Sequence, residues 1–159
     1  MSGYDVPSPK TDEEAEELAS IAQRVGGALI DGLLASMVVV IPLLLGLIEL
    51  DDLERSLPGP IMLGLFLFGA IYTIVPTALW GQTLGKIAVG TRVVAEHDGS
   101  LPGWRRAALR WAVPGIIGRL PFVGLWVSLA VMASLVWDRR RRGLHDRLAG
   151  TIVIRVPRS

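Results

Sequence analysis

Apolar positions gather into three long stretches and two short ones. Gly32 to Ile48 is an uncharged run of 17 residues, and one more turn at each side makes it long enough to cross about 30 Å of hydrocarbon as a helix. Ser56 to Gly85 is uncharged over 30 residues. That is more than one crossing needs, and Pro60 to Trp80 is the part that fits a second helix. The third stretch, Trp111 to Trp137, is interrupted by Pro114, Gly115, Gly118, Arg119 and Pro121. The short runs are IAVGTRVV, β-branched enough for a strand, and the alternating segment Thr151 to Val156.

The interrupted stretch decides the topology. One continuous helix would make three spans and leave Arg139 to Arg142 on the side opposite GKIAVGTRVV, although basic blocks mark the cytoplasmic face. A broken hairpin removes the conflict, with an arm from about Gly103 to Gly118, a tip at Arg119 to Pro121 and a second arm from Phe122 to Trp137. Both ends then stay on one side, and Thr151 to Val156 can pair with Gly90 to Val94. The expected fold is an all-α integral membrane protein with two full transmembrane helices, a Pro/Gly-broken helical hairpin and a short cytoplasmic β-pair; three spans is the alternative. Each arm is short for a full crossing, which a membrane tolerates where the backbone is buried in protein.

Composition agrees. Of 159 residues, 51% are hydrophobic and the mean hydropathy is +0.48, too apolar for a soluble domain of this size. The net charge of +1 hides a segregation, with acids from Asp5 to Glu17 and most arginines in the second half. Those arginines suit anionic lipid, and nucleic acid is not expected. Cysteine is absent, so neither disulfides nor thiolate metal sites arise. Met1 to Lys10 reads as a disordered tail and TDEEAEELASIAQR as a surface helix capped by Thr11 or Asp12, after which the chain turns inward at Gly26 and Gly27. Residues 1–20 are thus an acidic tail and surface helix, 21–156 a membrane domain and 157–159 a tail. The loop ELDDLERS belongs outside, both termini in the cytoplasm, and the whole in the cell membrane as a multi-pass protein.

Polar residues within the apolar runs carry the candidate chemistry. Asp31 lies inside the first span, where a charge costs roughly 2.5–3.5 kcal/mol unless it faces protein, water or a cation. Arg24 is two turns away, about 10 Å along the axis, too far for a direct bond between held side chains. Another partner for Asp31 is therefore expected. Ala28, Gly32 and Ser36 form a small-residue stripe that predicts close helix packing beside Asp31. On the second span Gly69, Thr73, Thr77 and Gly81 fall four apart, as a packing stripe or the lining of a polar path, with Tyr72 as a packing or interface group. Gly81, Gln82, Thr83, Gly85 and Lys86 belong to GQTLGK, which lacks the spacing and the hydroxyl of a phosphate-binding loop and reads as a turn. Arg105, Arg106 and Arg110 form a basic amphipathic segment expected near headgroups. Trp104, Trp111, Trp126 and Trp137 read as interface anchors or packing groups.

Arg24 and Asp31 in the first span, GQTLGKIAVGTRVV after the second and RRGLHDRLAGTIVI near the end together resemble the RDD family of small membrane proteins. The likeness runs from about Ala22 to Ile154. The family is named for one arginine and two aspartates, and here Arg24, Asp31 and Asp146 match them. What the resemblance implies about activity is limited to transport of unidentified ions or ligands, in bacteria.

Two functions follow as expectations. One is transport of an ion or small solute with Asp31 near Arg24 as the polar site. The other is a structural or assembly role, in which Arg24, Asp31 and Asp146 form a packing network and the protein associates with itself or with another membrane protein. No enzyme is expected. His145 and Asp146 are adjacent, His97 and Asp98 sit in a turn, and neither pair has metal-ligand spacing; no cofactor and no metal are expected.

Overall fold

In a computed structural model the described residues are 18–49, 51, 59–117, 126, 130, 131, 133, 134 and 142–156. They form α1 (Ile21–Leu44), α2 (Gly59–Trp80), α3 (Leu84–Ala88), β1 (Thr91–Ala95), α4 (Gly103–Gly115), α5 (Leu144–Ala149) and β2 (Thr151–Arg155). The expected tail, most of the acidic surface helix, much of the outer loop and the hairpin tip lie outside the described residues.

α1 begins where Ser20 caps it. The Ser20 hydroxyl accepts from the Gln23 amide at 3.1 Å and the Gln23 side chain accepts from the Ser20 amide at 3.0 Å, a reciprocal pair that satisfies two amides left without intrahelical partners. Before it, Leu18 bridges Ile154 and the Ala19 amide donates to Val153 O at 2.9 Å. The end of the expected surface helix, from Leu18 to Ser20, is therefore extended and lies along the free edge of β2. Nor does the chain turn inward at Gly26 and Gly27. Both sit within α1, because a membrane helix supplies its own backbone bonds and two glycines are no reason to break it.

α1 and α2 are long and apolar enough to cross a membrane. Buried residues are confined to Gly27 in α1 and to Thr77 and Ala78 in α2. Leu29 at 64% and Leu33 at 65% exposure are typical of the remainder. Apolar helices left so bare by their own fold need lipid around them. The expected packing of the Ala28, Gly32 and Ser36 stripe does not occur within the chain: all three are exposed, no atom lies within 4 Å of a Cβ placed on Gly32, and the Ser36 hydroxyl returns to Leu33 O at 2.8 Å. Gly27 makes the close approach instead, against Val89 and the Gly85 carbonyl.

The packed part of the molecule is at the start of α1. β1 and β2 pair antiparallel, with Thr91 opposite Arg155 and Ala95 opposite Thr151, close to the expected pairing. The first strand starts later than IAVGTRVV suggested, since Ile87 and Ala88 close α3 and Val89–Gly90 turn into Thr91. Ala19, Val93 and Val153 form the small apolar centre. α3 lies against α1, while α4 lies against α2 and α5. Trp111 of α4 meets Phe66 of α2 edge-on at 5.1 Å between ring centroids, so it is a packing group, whereas Trp104 and Trp126 are exposed. Trp126, Ala130, Val131, Ala133 and Ser134 are helical, and the Leu144 amide at the start of α5 donates to the Ser134 hydroxyl at 2.9 Å.

Candidate functional site

Asp31 finds its partners in the turn after α2. Its Oδ1 accepts from the Tyr72 hydroxyl at 2.7 Å and from the Gly85 amide at 2.8 Å; its Oδ2 accepts from the Thr83 hydroxyl at 2.5 Å and stands 3.7 Å from Lys86 Nζ. An ionised carboxylate offers about four acceptor positions. Four neighbours surround this one. Two glycines make the geometry attainable. Gly81 has φ +70°, a left-handed turn that redirects the chain out of α2, and its carbonyl accepts from Val93 at 2.7 Å. Gly85 lets α3 press onto α1, since a Cβ there would stand 2.7 Å from Asp31 Cγ and collide with the Gly27 carbonyl. Gln82 ties the turn to the sheet, its Nε2 donating to Thr91 O at 2.8 Å and its Oε1 accepting from Arg92 at 3.3 Å.

Asp146 is the second centre, and it is wholly buried. Arg24 Nη1 donates to its Oδ2 at 2.7 Å, and the Arg110 guanidinium pairs with its Oδ1. The Gly143 amide adds a bond to Oδ2 at 3.0 Å and the Thr151 hydroxyl one to Oδ1 at 3.3 Å. The local sequence explains the position. Gly143 precedes α5 in extended conformation, Asp146 stands at the third helical position where a carboxylate reaches back to the start, and Gly150 at φ +61° ends the helix directly before β2. One carboxylate thus joins α1, α4, α5 and β2.

Arg24 and Asp31 accordingly belong to neighbouring sites, as their separation along α1 required. Arg110 was expected near headgroups; it is 12% exposed and turned onto Asp146. Ala107 and Val113, three residues to either side on α4, are buried, so helical periodicity places Arg110 on the inner face. That signal needs the burial of the assembled fold, whereas the hydroxyl of Tyr72, a donor in the second span, was in the sequence.

Between these centres lies a cavity of about 460 Å³. Arg24, Asp31, Thr73, Lys86, Arg110 and His145 supply its polar lining, while Val25, Trp111, Pro114 and Val131 contribute apolar wall. Thr73 is therefore a lining residue, whereas Thr77, 2% exposed, is packing. Among the described residues no group of three or more His, Asp and Glu is suited to hold a metal ion.

Lys86 and His145, outside the spans, are shifted from their ordinary protonation. Burial, then the Arg110 guanidinium, brings the Lys86 ammonium down to about 8, with Asp31 acting the other way. His145, with Nε2 3.6 Å from Asp146 Oδ2, is held well below the usual histidine range by burial first and then by Arg110, Arg24 and Lys86. It is neutral at pH 7. Between its folded value and about 6.5 the unfolded chain binds the proton that the folded chain refuses, so folding stability is lost as pH falls through that window. The thermal midpoint of the purified protein should therefore drop below about pH 6.5, and His145→Gln should flatten that limb; an unchanged limb would mean that other groups cause it.

A model of the RDD family matches residues 18–150, a span that includes Arg24, Asp31, the GQTLGK turn and Asp146. No curated protein and no solved structure matches the chain.

Proposed function

The chain belongs to the RDD family, and from that premise we propose that it is a multi-pass protein of the cell membrane that admits an ion or small solute to the cavity between α1, α2 and α4. Arg24, Asp31 and Asp146 serve as the frame of that cavity and not as its cargo site. One observation carries this division of labour: donors from the protein itself surround both carboxylates, while the cavity opens beside them. A carboxylate so engaged holds helices in place. To carry a cation it would first have to surrender those bonds.

The arrangement in the membrane follows from the same features. The excursion that begins with α4 returns to α5 through the Ser134 contact, which supports a hairpin and an even number of crossings. Arg105 and Arg106 near the start of α4 favour a cytoplasmic position for the sheet end.

The test leaves the frame intact. Ala28 lines the cavity and takes part in neither carboxylate cluster, so Ala28→Phe fills the space alone. In liposomes, flux of protons, sodium or phosphate through the wild type should be lost in this variant. Equal flux through both contradicts the cavity as the route, and none through either contradicts transport of these ions and favours the second reading, a packing network for assembly with other membrane components. That reading draws its support from the number of elements Asp146 joins.

A further inference from the structure

We propose that the cavity is an oxyanion site, receiving a phosphate group between Lys86 and Arg110; this rests on reading the cavity as a solute site. Charge is the first argument. Arg24, Lys86 and Arg110 line the space, Asp31 stands on its wall and Asp146 behind it. Arg24 and Arg110 share the carboxylate of Asp146 and Lys86 stands a long ion pair from Asp31, so cations from α1, α3 and α4 converge on one space, and His145 adds none at pH 7. Like charges gathered around one space repel one another, and an anion between them relieves that repulsion.

The way the charges are shared points to the same ligand. Asp146 serves two guanidiniums at once, and three of the groups on Asp31 are the neutral donors Tyr72, Thr83 and Gly85. Lys86, with three N–H donors, gives one to Thr83 at 3.1 Å and stands 3.7 Å from Asp31, a long ion pair. Burial first and the Arg110 guanidinium second depress the Lys86 ammonium, and an oxyanion beside it would act against both.

This is not a phosphate-binding loop. The Gly85 amide, which such a loop would turn to the ligand, is spent on Asp31. Side-chain cations have to do the binding. Val25, Trp111, Pro114 and Val131 add apolar lining to the same space, which suits a phosphate that carries an organic portion. That phosphate can be a lipid headgroup or a free solute, and the experiment separates them.

Full-length protein in neutral phosphatidylcholine nanodiscs is followed by tryptophan fluorescence during heating. Inorganic phosphate is titrated against chloride at matched ionic strength, and a parallel set of discs contains phosphatidylglycerol. A rise in midpoint with phosphate identifies a free oxyanion; a rise only with phosphatidylglycerol identifies a headgroup. In either case Lys86→Gln should weaken the apparent affinity roughly tenfold or more, the loss of one charge-assisted bond, and Lys86→Arg should retain most of it. Stabilisation undiminished in Lys86→Gln, or absent with both anions, overturns the assignment. A cysteine at Thr73 that reacts with a water-borne thiol reagent, while neither anion has any effect, would keep the solute cavity and discard the anion.

Discussion

Asp146→Asn is expected to prevent accumulation of folded protein. The substitution keeps the shape of the side chain but leaves Arg24 and Arg110 facing one another without the buried carboxylate that both use. Removing one partner of a buried ion network typically costs about 3–5 kcal/mol, against a total stability of about 5–15 kcal/mol for a domain. The network also spans four elements, so the loss is not local. Arg142→Ala is the control. Arg142 pairs with Glu96 at 2.6 Å with both side chains about a fifth exposed, and a partly exposed pair contributes less than a wholly buried network. Yield after size-exclusion chromatography and the thermal midpoint read both variants. A midpoint for Asp146→Asn within a few degrees of the Arg142→Ala value would show that the guanidiniums find other compensation.

Gly85→Ala should be the other severe change, although it adds a single methyl. The new Cβ would strike the Gly27 carbonyl and lie 2.7 Å from Asp31 Cγ. Neither can move away easily, one being backbone of a membrane helix and the other a carboxylate held by Tyr72 and Thr83. Overpacking of a tight contact costs about 1–3 kcal/mol, and here parting α3 from α1 also removes the Gly85 amide from Asp31. Gly32→Ala makes the comparison fair. It has nothing within 4 Å and should be neutral or stabilising by up to about 1 kcal/mol through helix propensity. Equal midpoints for the two alanine variants would show that α3 does not bear on α1 as described.

The difference between these glycines marks where sequence reasoning stops. Spacing showed that small residues on α1 lie near Asp31, but it chose Ala28, Gly32 and Ser36 when the contact is made by Gly27. A four-residue repeat marks a helix face without saying whether a partner comes to it. The two spans were legible because membrane thickness fixes the length of an apolar run, and the antiparallel strands because β-branched residues and turn signals are local. The need for a further partner at Asp31 followed from helix rise alone. Its identity did not, since Tyr72, Thr83 and Gly85 come from elements whose approach depends on the left-handed turn at Gly81. Arg110 was assigned to the headgroups because basic amphipathic segments usually lie there. The buried positions of Ala107 and Val113 on the same helix argue otherwise, but burial is a property of the assembled fold.

A cavity that admits a polar solute requires water to reach the space beside Asp31, among helices that otherwise meet lipid. Because the chain has no native cysteine, this can be tested one thiol at a time in reconstituted liposomes. Thr73→Cys lines the space, while Gly64→Cys is on an exposed part of the same helix with nothing within 4 Å of its Cβ. A small water-soluble methanethiosulfonate reagent should modify the cysteine at 73 and leave the one at 64 unreacted in the hydrocarbon. Equal protection of both would mean that no water reaches the space in the bilayer, and that the cavity admits no polar solute.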